Sequence, residues 1–467
     1  MNENTQNPTH FHLIGIGGAG MSVVAELLVS RGHTVTGSDQ LEGPNIPRLR
    51  SRGIHVSIGH NAANVPDNAT IVVSTAVKES NPELAVAQAR NQQIIHRSQA
   101  LALAAQGTDF IAVAGAHGKT TTSGMLATAF NACGIDASFA VGGVVTGFDT
   151  GAHLGSSEVF IAEADESDAS FLNYRPRVAL VTNVEPDHLD HYGTREKFEQ
   201  AFVDFAHRIV PGGALVVCAD DPGALQLGQT YRRDGGKVWS YGRVSAHECA
   251  MPIEQHLQIR QIELEANGSS SYCTLGSRDL ELQLSVGGAH NVLNACGAIL
   301  VGVDLDIDVQ VMAHALSAFR GTGRRFEFRA EVAGRRLYDD YAHHPSEVKV
   351  SLEQARTVAG DGRVVVLFQP HLFSRTRNFA TEFASAFRAA DHVVFTGIYA
   401  AREEPLEGVS SDLIARDVPG STVVSDLEQA AIATADATRP GDLCLTMGAG
   451  DVTTMARVIL DRWKGEE

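Results

Sequence analysis

The stretch Phe110-Ile-Ala-Val-Ala-Gly-Ala-His-Gly-Lys-Thr-Thr-Thr122 decides how this chain reads. Phe110–Ala114 is an apolar run short enough for a strand buried on both faces, as in a parallel sheet. Gly115-Ala-His117-Gly118 then turns the chain, and Lys119-Thr120-Thr121-Thr122 opens a helix. Lysine and hydroxyls at a helix start, behind a glycine turn, can hold triphosphate oxygens and a magnesium ion. The loop departs from the general G-x-x-x-x-G-K-[ST] pattern, because Val113 stands at the first glycine position. A capped helix with an incidental lysine would leave the coincidence of strand, turn, Gly-Lys-Thr and helix unexplained.

Upstream, Phe11–Ile16 leads into Gly15-Ile-Gly17-Gly18-Ala19-Gly20 and a helical stretch Met21–Ser30. A second strand, Thr34–Gly37, ends at Ser38-Asp39, with Asp39 nineteen residues beyond Gly20 (39 − 20). This G-x-G-x-x-G context suits a pyrophosphate, and leaves open whether it belongs to NAD or to a nucleotide sugar. Downstream, Val364–Phe368, Val393–Thr396 and Leu443–Met447 read as buried strands, the last ending in Gly448-Ala-Gly450-Asp451. Thr70–Ser74, Val159–Ala162, Val178–Thr182 and Ala214–Cys218 complete an alternation typical of parallel α/β layers. Residues 238–288 read as antiparallel strands with a turn at Asn267-Gly268, followed by a helix over Gly288–Val303. Gly321-Thr-Gly323 looks like a hinge before a hairpin at Phe326–Asp339. A chain of 467 residues suggests about three domains of ~150 residues, and the breaks fall at 1–107, 108–321 and 322–467.

With 37 basic and 55 acidic side chains, the net charge of −18 argues against nucleic acid and against an anionic membrane surface as partners. Six scattered cysteines without C-x-x-C argue for reduced thiols rather than zinc or disulfides. The polar start MNENTQNPTH carries no secretory signal, and no apolar run reaches ~18 residues, so the expected location is the cytoplasm.

Glu163-Ala-Asp165-Glu166-Ser-Asp168 follows an apolar strand, where clustered carboxylates invite a cation; a solvated acidic loop is the alternative. Asn183-Val-Glu185-Pro-Asp187-His188 follows the next strand, which makes Glu163 and His188 a candidate pair. Asn291 and Asn294 share a helix face, and amides suit an adenine edge, although capping would explain Asn291 equally well. Arg324-Arg325 and Asp339-Asp340-Tyr341-Ala-His343-His344 gather charge and imidazole that suit a transferring phosphoryl group. His371 and Arg375 follow Phe368 on a loop able to present a guanidinium to a carboxylate.

Taken in order, GIGGAGMS, AHGKTT, EADESD, NVEPDHLDHY, AHNVLNA, GRRFE, DDYAHHP and FQPHLFSRTR resemble the Mur ligases from end to end, and most of all their L-alanine-adding branch. The resemblance implies a Rossmann-like N-terminal domain that binds a UDP-sugar, a central P-loop-type ATPase α/β domain, and a Rossmann-like C-terminal domain for the amino acid. It implies ATP and Mg2+ as cofactors, UDP-N-acetylmuramate and L-alanine as substrates, and a monomer or homodimer. The lactyl carboxylate would attack the γ-phosphate, and the amine of L-alanine would attack the resulting acyl phosphate. Gly15, Gly17, Gly18, Ala19, Gly20, Ser38, Asp39 and Thr75 would take the sugar nucleotide. Gly115, His117, Gly118, Lys119, Thr120 and Thr121 would take the ATP phosphates, and Asn291 and Asn294 the adenine. Thr120, Glu163 and His188 would hold magnesium, and Arg325 and Asp340 would serve the nucleotide. His343, His344, His371 and Arg375 would face the amino acid, with His343 or His344 a candidate base. Ala116 stands where many relatives carry threonine, and Phe202 and Val203 stand where some carry a carbamylated lysine. Three rivals remain: a ligase adding a whole tripeptide to the same sugar, an NAD-dependent oxidoreductase, and a non-catalytic ATP-binding regulator.

Overall fold

The computed structural model describes residues 9–186, 189–266, 268–401 and 403–465. They divide into two compact units: Met1–Arg260 with Cys273–Leu280 and Leu293–Ala318, and Gln261–Tyr272 with Glu281–Val292 and Phe319–Glu467. Three sheets succeed one another along the chain, as expected of three α/β domains.

The first sheet holds β1 (His10–Ile14), β2 (Thr34–Asp39), β3 (His55–Ile58), β4 (Thr70–Val73) and β5 (Ile94–His96), in the order β3-β2-β1-β4-β5. All its pairings are parallel. Leu13, Ile14, Ile71 and Val72 are fully buried, the consequence of helices covering both faces. Strand order reverses between β1 and β4, so their carboxyl ends frame the crevice in which such sheets bind ligands.

The second sheet contains β6 (Asp109–Ala114), β7 (Ser138–Val145), β8 (Thr150–His153), β9 (Val159–Glu163), β10 (Val178–Val181), β11 (Ala214–Cys218), β12 (Lys237–Gly242), β13 (His256–Glu265), β14 (Gly268–Leu275) and β15 (Arg278–Leu284). Its order is β15-β14-β13-β12-β11-β10-β6-β9-β7-β8. β6 lies between β9 and β10, with Val113 beside Glu163 and Ala114 beside Val181. That register places three loops next to one another: those after β6, β9 and β10. The turn expected at Asn267 lies outside the described residues.

The third sheet comprises β16 (Glu327–Val332), β17 (Arg335–Asp340), β18 (Val364–Phe368), β19 (His392–Phe395), β20 (Thr422–Val423) and β21 (Leu443–Met447), ordered β16-β17-β21-β18-β19-β20. Only β16–β17 is antiparallel, which is the expected hairpin. Asp340, Met447 and Phe368 are in register, so the loops after β17, β21 and β18 share one edge. No helix among the described residues is long and apolar enough to cross a membrane.

Candidate functional site

The loop after β6 is built around glycines at which any side chain would be strained. Gly115 has φ +126°, and a Cβ there would lie 2.2 Å from Thr182 Oγ1; Gly118 has φ +85°, with Asn294 Oδ1 2.9 Å from where its Cβ would be. The end of β10 clamps the turn. Asn183 Oδ1 accepts from the His117 N–H at 3.0 Å, while Thr182 Oγ1 and Asn183 Nδ2 donate to the His117 carbonyl at 2.5 and 3.0 Å. Among the described residues no side chain caps the helix Lys119–Ala132, so its first-turn N–H groups are available to an anion. The sequence alone does not mark Thr182 and Asn183 as loop supports, because that role depends on strand neighbourhood.

Lys119 Nζ donates to the Gly115 carbonyl at 2.6 Å and to both oxygens of Glu166 at 2.8 and 2.9 Å. Burial opposes its charge, but Glu166 and Asp165 outweigh that and raise its pKa above the usual lysine value. Burial also lifts the Glu166 carboxyl to about 7, against the pull of Lys119. Glu166 is therefore the immediate partner of the lysine, a role that EADESD alone does not distinguish from its other carboxylates. Glu163 ends β9 and accepts the Gly142 N–H through Oε1 at 2.7 Å, while Oε2 takes no hydrogen bond from a described residue. A carboxylate oxygen with capacity to spare, one strand from the Thr120 hydroxyl, is an all-oxygen donor set that fits a hard cation such as magnesium. His188, expected to be the third ligand, lies outside the described residues. Asn294 stands beside Gly118, whereas Asn291 Nδ2 donates to the Gly287 carbonyl at 2.7 Å and its Oδ1 has no partner among the described residues.

In the first sheet, Gly15 and Ile16 donate to the Ser38 carbonyl at 2.8 and 2.9 Å, and the Gly17 N–H donates to Asp39 Oδ2 at 2.8 Å. Asp39 thus shapes the glycine loop directly. Gly18 and Thr75 are exposed at the carboxyl ends of β1 and β4, and Ala19 opens the helix Ala19–Ser30. The Ser38 hydroxyl faces inward: it donates to Glu83 and lies 2.9 Å from His60 Nδ1. Glu83, fully buried, also meets His12 Nε2 at 3.3 Å, the Asn61 N–H at 3.0 Å and Asn64 Nδ2 at 2.8 Å. A lone glutamate between Pro82 and Leu84 in the first turn of a short helix carries no sequence signal for this network.

In the second unit, Asp340 sits at the end of β17, accepting from Ser351 Oγ at 2.7 Å and the Ala342 N–H at 2.9 Å. Burial raises its pKa to about 6 despite nearby Arg325. Arg324 and Arg325 lie over the Tyr341 ring at 4.8 and 5.1 Å, and Arg325 reaches Glu347 at 3.6 Å. Glu347 accepts the His343 and His344 N–H groups at 3.0 and 3.2 Å. The His343 ring contacts His371 edge-on at 5.5 Å, and Arg375 Nη1 lies 3.4 Å from His371 Nδ1. His343, His371 and Arg375 therefore gather on one edge. His344 instead is buried with its ring against Phe379, which makes His343 the better placed of the two candidate bases.

Three domain families match in the corresponding order: the Mur ligase family catalytic domain at residues 10–108, the Mur ligase middle domain at 113–302, and the Mur ligase glutamate ligase domain at 324–450. A UDP-N-acetylmuramate–L-alanine ligase of Kineococcus radiotolerans is 48% identical over 457 residues, 96% of this chain and 95% of that one. Its counterpart in Renibacterium salmoninarum is 46% identical over 451 residues, with the same coverages of 96% and 95%. Among solved structures, the UDP-N-acetylmuramate-alanine ligase of Thermotoga maritima superposes with a TM-score of 0.79 at 27% identity, covering 98% of this chain and all of that one (100%). A murein peptide ligase of Psychrobacter arcticus gives 0.70 at 26% identity, with 97% and 98% covered. With all three domain families matched in sequence and relatives this similar over almost their whole length, the chain belongs to the Mur ligase family.

Proposed function

We propose that this protein joins L-alanine to the lactyl carboxylate of UDP-N-acetylmuramate at the expense of ATP, through an acyl phosphate. The observation that carries the reading is near-full-length identity of 46–48% to ligases of that name, together with a lysine loop built for phosphate. A single phosphate loop would serve an oxidoreductase; a second, after β6, calls for phosphoryl transfer. The substrates are those of cytoplasmic cell-wall precursor synthesis.

In this reading residues 1–107 hold the UDP-sugar, 108–321 hold ATP, and 322–467 receive the amino acid. Backbone N–H groups of Gly15–Gly20, shaped by Asp39, take the pyrophosphate. Gly115, His117, Gly118, Thr120 and Thr121 cradle the ATP phosphates, and Lys119 exchanges Glu166 for phosphate oxygens. Asn294 and Asn291 offer amides to the adenine. Thr120 and Glu163, with His188, would hold magnesium, which when bound neutralises charge on the transferring phosphoryl group. Arg375 receives the carboxylate of L-alanine, and His343 takes a proton from its amine.

Glu163→Ala is expected to raise the magnesium concentration needed for half-maximal activity, because the variant loses an oxygen ligand. Titrating activity with magnesium checks this; superimposable curves for the variant and the wild type would sink the assignment. The function itself is tested by phosphate release from ATP with UDP-N-acetylmuramate present, across single amino acids and the L-alanine-containing murein tripeptide. Release specific to L-alanine supports the reading, and release only with the tripeptide points to the peptide-adding branch.

A further inference from the structure

The last glycine of the first loop makes room for an arginine. In the G-x-G-x-x-G pattern the third glycine ordinarily permits close approach of helix to strand. Here a Cβ on Gly20 would lie 2.2 Å from Arg97 Nη1 and 3.2 Å from Arg97 Cζ, so the guanidinium occupies the space a side chain would need. Arg97 opens the helix Arg97–Ala104 after β5. That helix start is held from behind: His96 caps it, Asn173 Nδ2 donates to Ser98 Oγ at 2.7 Å, and His96 Nε2 lies 3.8 Å from Asp168. The guanidinium itself is little used. It donates no hydrogen bond to a described residue, and the acidic side chain paired with it among the described residues, Asp165 Oδ2, is 4.0 Å from Nη2. Its side chain is 33% exposed, open to a ligand while backed by Gly20.

A planar fork of N–H donors held against the first turn of a glycine-loop helix matches the oxygens of a diphosphate, which the loop N–H groups alone would leave partly unpaired. We propose that Arg97 completes the pyrophosphate site, gripping the diphosphate of the sugar nucleotide against the helix Ala19–Ser30, and that Gly20 exists to admit it. The proposal rests on the sugar-nucleotide reading given above. It assigns Arg97 to the diphosphate rather than to the lactyl carboxylate at the far end of the same ligand.

Calorimetric binding of UDP-N-acetylmuramate and of UDP, which keeps the diphosphate and lacks the carboxylate, separates the possibilities. Arg97→Ala is expected to weaken both by about tenfold or more, the worth of a charge-assisted contact, with ATP binding and the melting temperature unchanged. Arg97→Lys, which keeps the charge and loses the fork, should fall between. Gly20→Ala should weaken both ligands by displacing the guanidinium, and should cost nothing further once Arg97 is alanine. Loss confined to UDP-N-acetylmuramate, loss of neither ligand, or a wild type that binds UDP-N-acetylmuramate but not UDP would each overturn the proposal. A wild type that binds no sugar nucleotide would instead defeat the functional reading on which it stands.

Discussion

Lys119→Ala is expected to abolish ligation while leaving UDP-N-acetylmuramate binding intact. The ammonium is the one cation the described residues place on the loop after β6, between the Gly115 carbonyl and Glu166. A phosphoryl group in transfer spreads negative charge over its oxygens, and a cation fixed beforehand stabilises it without reorganising. Removing one such group costs on the order of 10²–10³ in kcat in comparable sites, and a full charge should cost at least that. The structural cost is smaller. The lysine leaves behind a buried carboxylate, but burial already lifts Glu166 to about 7, so in the variant it can take a proton instead of remaining as an unpaired charge. The melting temperature should therefore drop modestly while turnover collapses. Steady-state phosphate release, calorimetry with the sugar nucleotide and thermal unfolding decide it together. Near-normal turnover would remove this loop from the reaction, and loss of sugar-nucleotide binding would mean the variant is misfolded.

Architecture was more legible in the sequence than local chemistry. Val364–Phe368 and Leu443–Met447 are runs of β-branched and apolar residues bounded by turns, and they form the strands expected of them because buried parallel strands need little more than that pattern. Gly37 shows where the pattern misleads. It reads as the end of a strand, yet β2 continues to Asp39. A Cβ at Gly37 would lie 2.6 Å from Ile16 Cδ1, so the glycine marks a close approach of the crossing loop and not a stop. At the sites, the glycines, Lys119 and Asp340 could be named from local pattern, since each sits at a strand end where loops carry function. Their partners could not. Glu166, Thr182 and Arg97 acquire their roles from neighbours 47, 65 and 77 positions away, counting to Lys119, His117 and Gly20. A single sequence records these residues without recording which strands lie side by side.

Glu83 is the extreme case, and the most consequential for stability. Glu83→Ala is expected to destabilise the protein by about 3–5 kcal/mol, the range for removing one member of a buried charged cluster. The carboxylate has no exposure and gathers His12, the Ser38 hydroxyl, the Asn61 N–H and the Asn64 amide; the alanine would take this acceptor from the buried His12 and Ser38 as well as from the two asparagines. Burial alone would raise its pKa, but those hydrogen bonds overcome that and hold it at about 2, against an ordinary value of 4.5. A carboxylate with a depressed folded-state pKa contributes stability that is fully present above the unfolded value and lost as pH falls through the folded one. Glu83 should therefore contribute up to about 3 kcal/mol that disappears between pH 4.5 and 2. Glu83→Gln, which cannot ionise, should lack that component, so the gap between the wild type and this variant should narrow as the pH falls. Denaturant unfolding at a series of pH values measures it, and parallel stability curves would show that the carboxylate is not held as its partners imply. Because the Ser38 carbonyl receives the Gly15 and Ile16 N–H groups, loosening Ser38 should also loosen the first glycine loop. The alanine variant should accordingly bind UDP-N-acetylmuramate more weakly at temperatures where it remains folded, while its affinity for ATP, held on a different sheet, stays as it was.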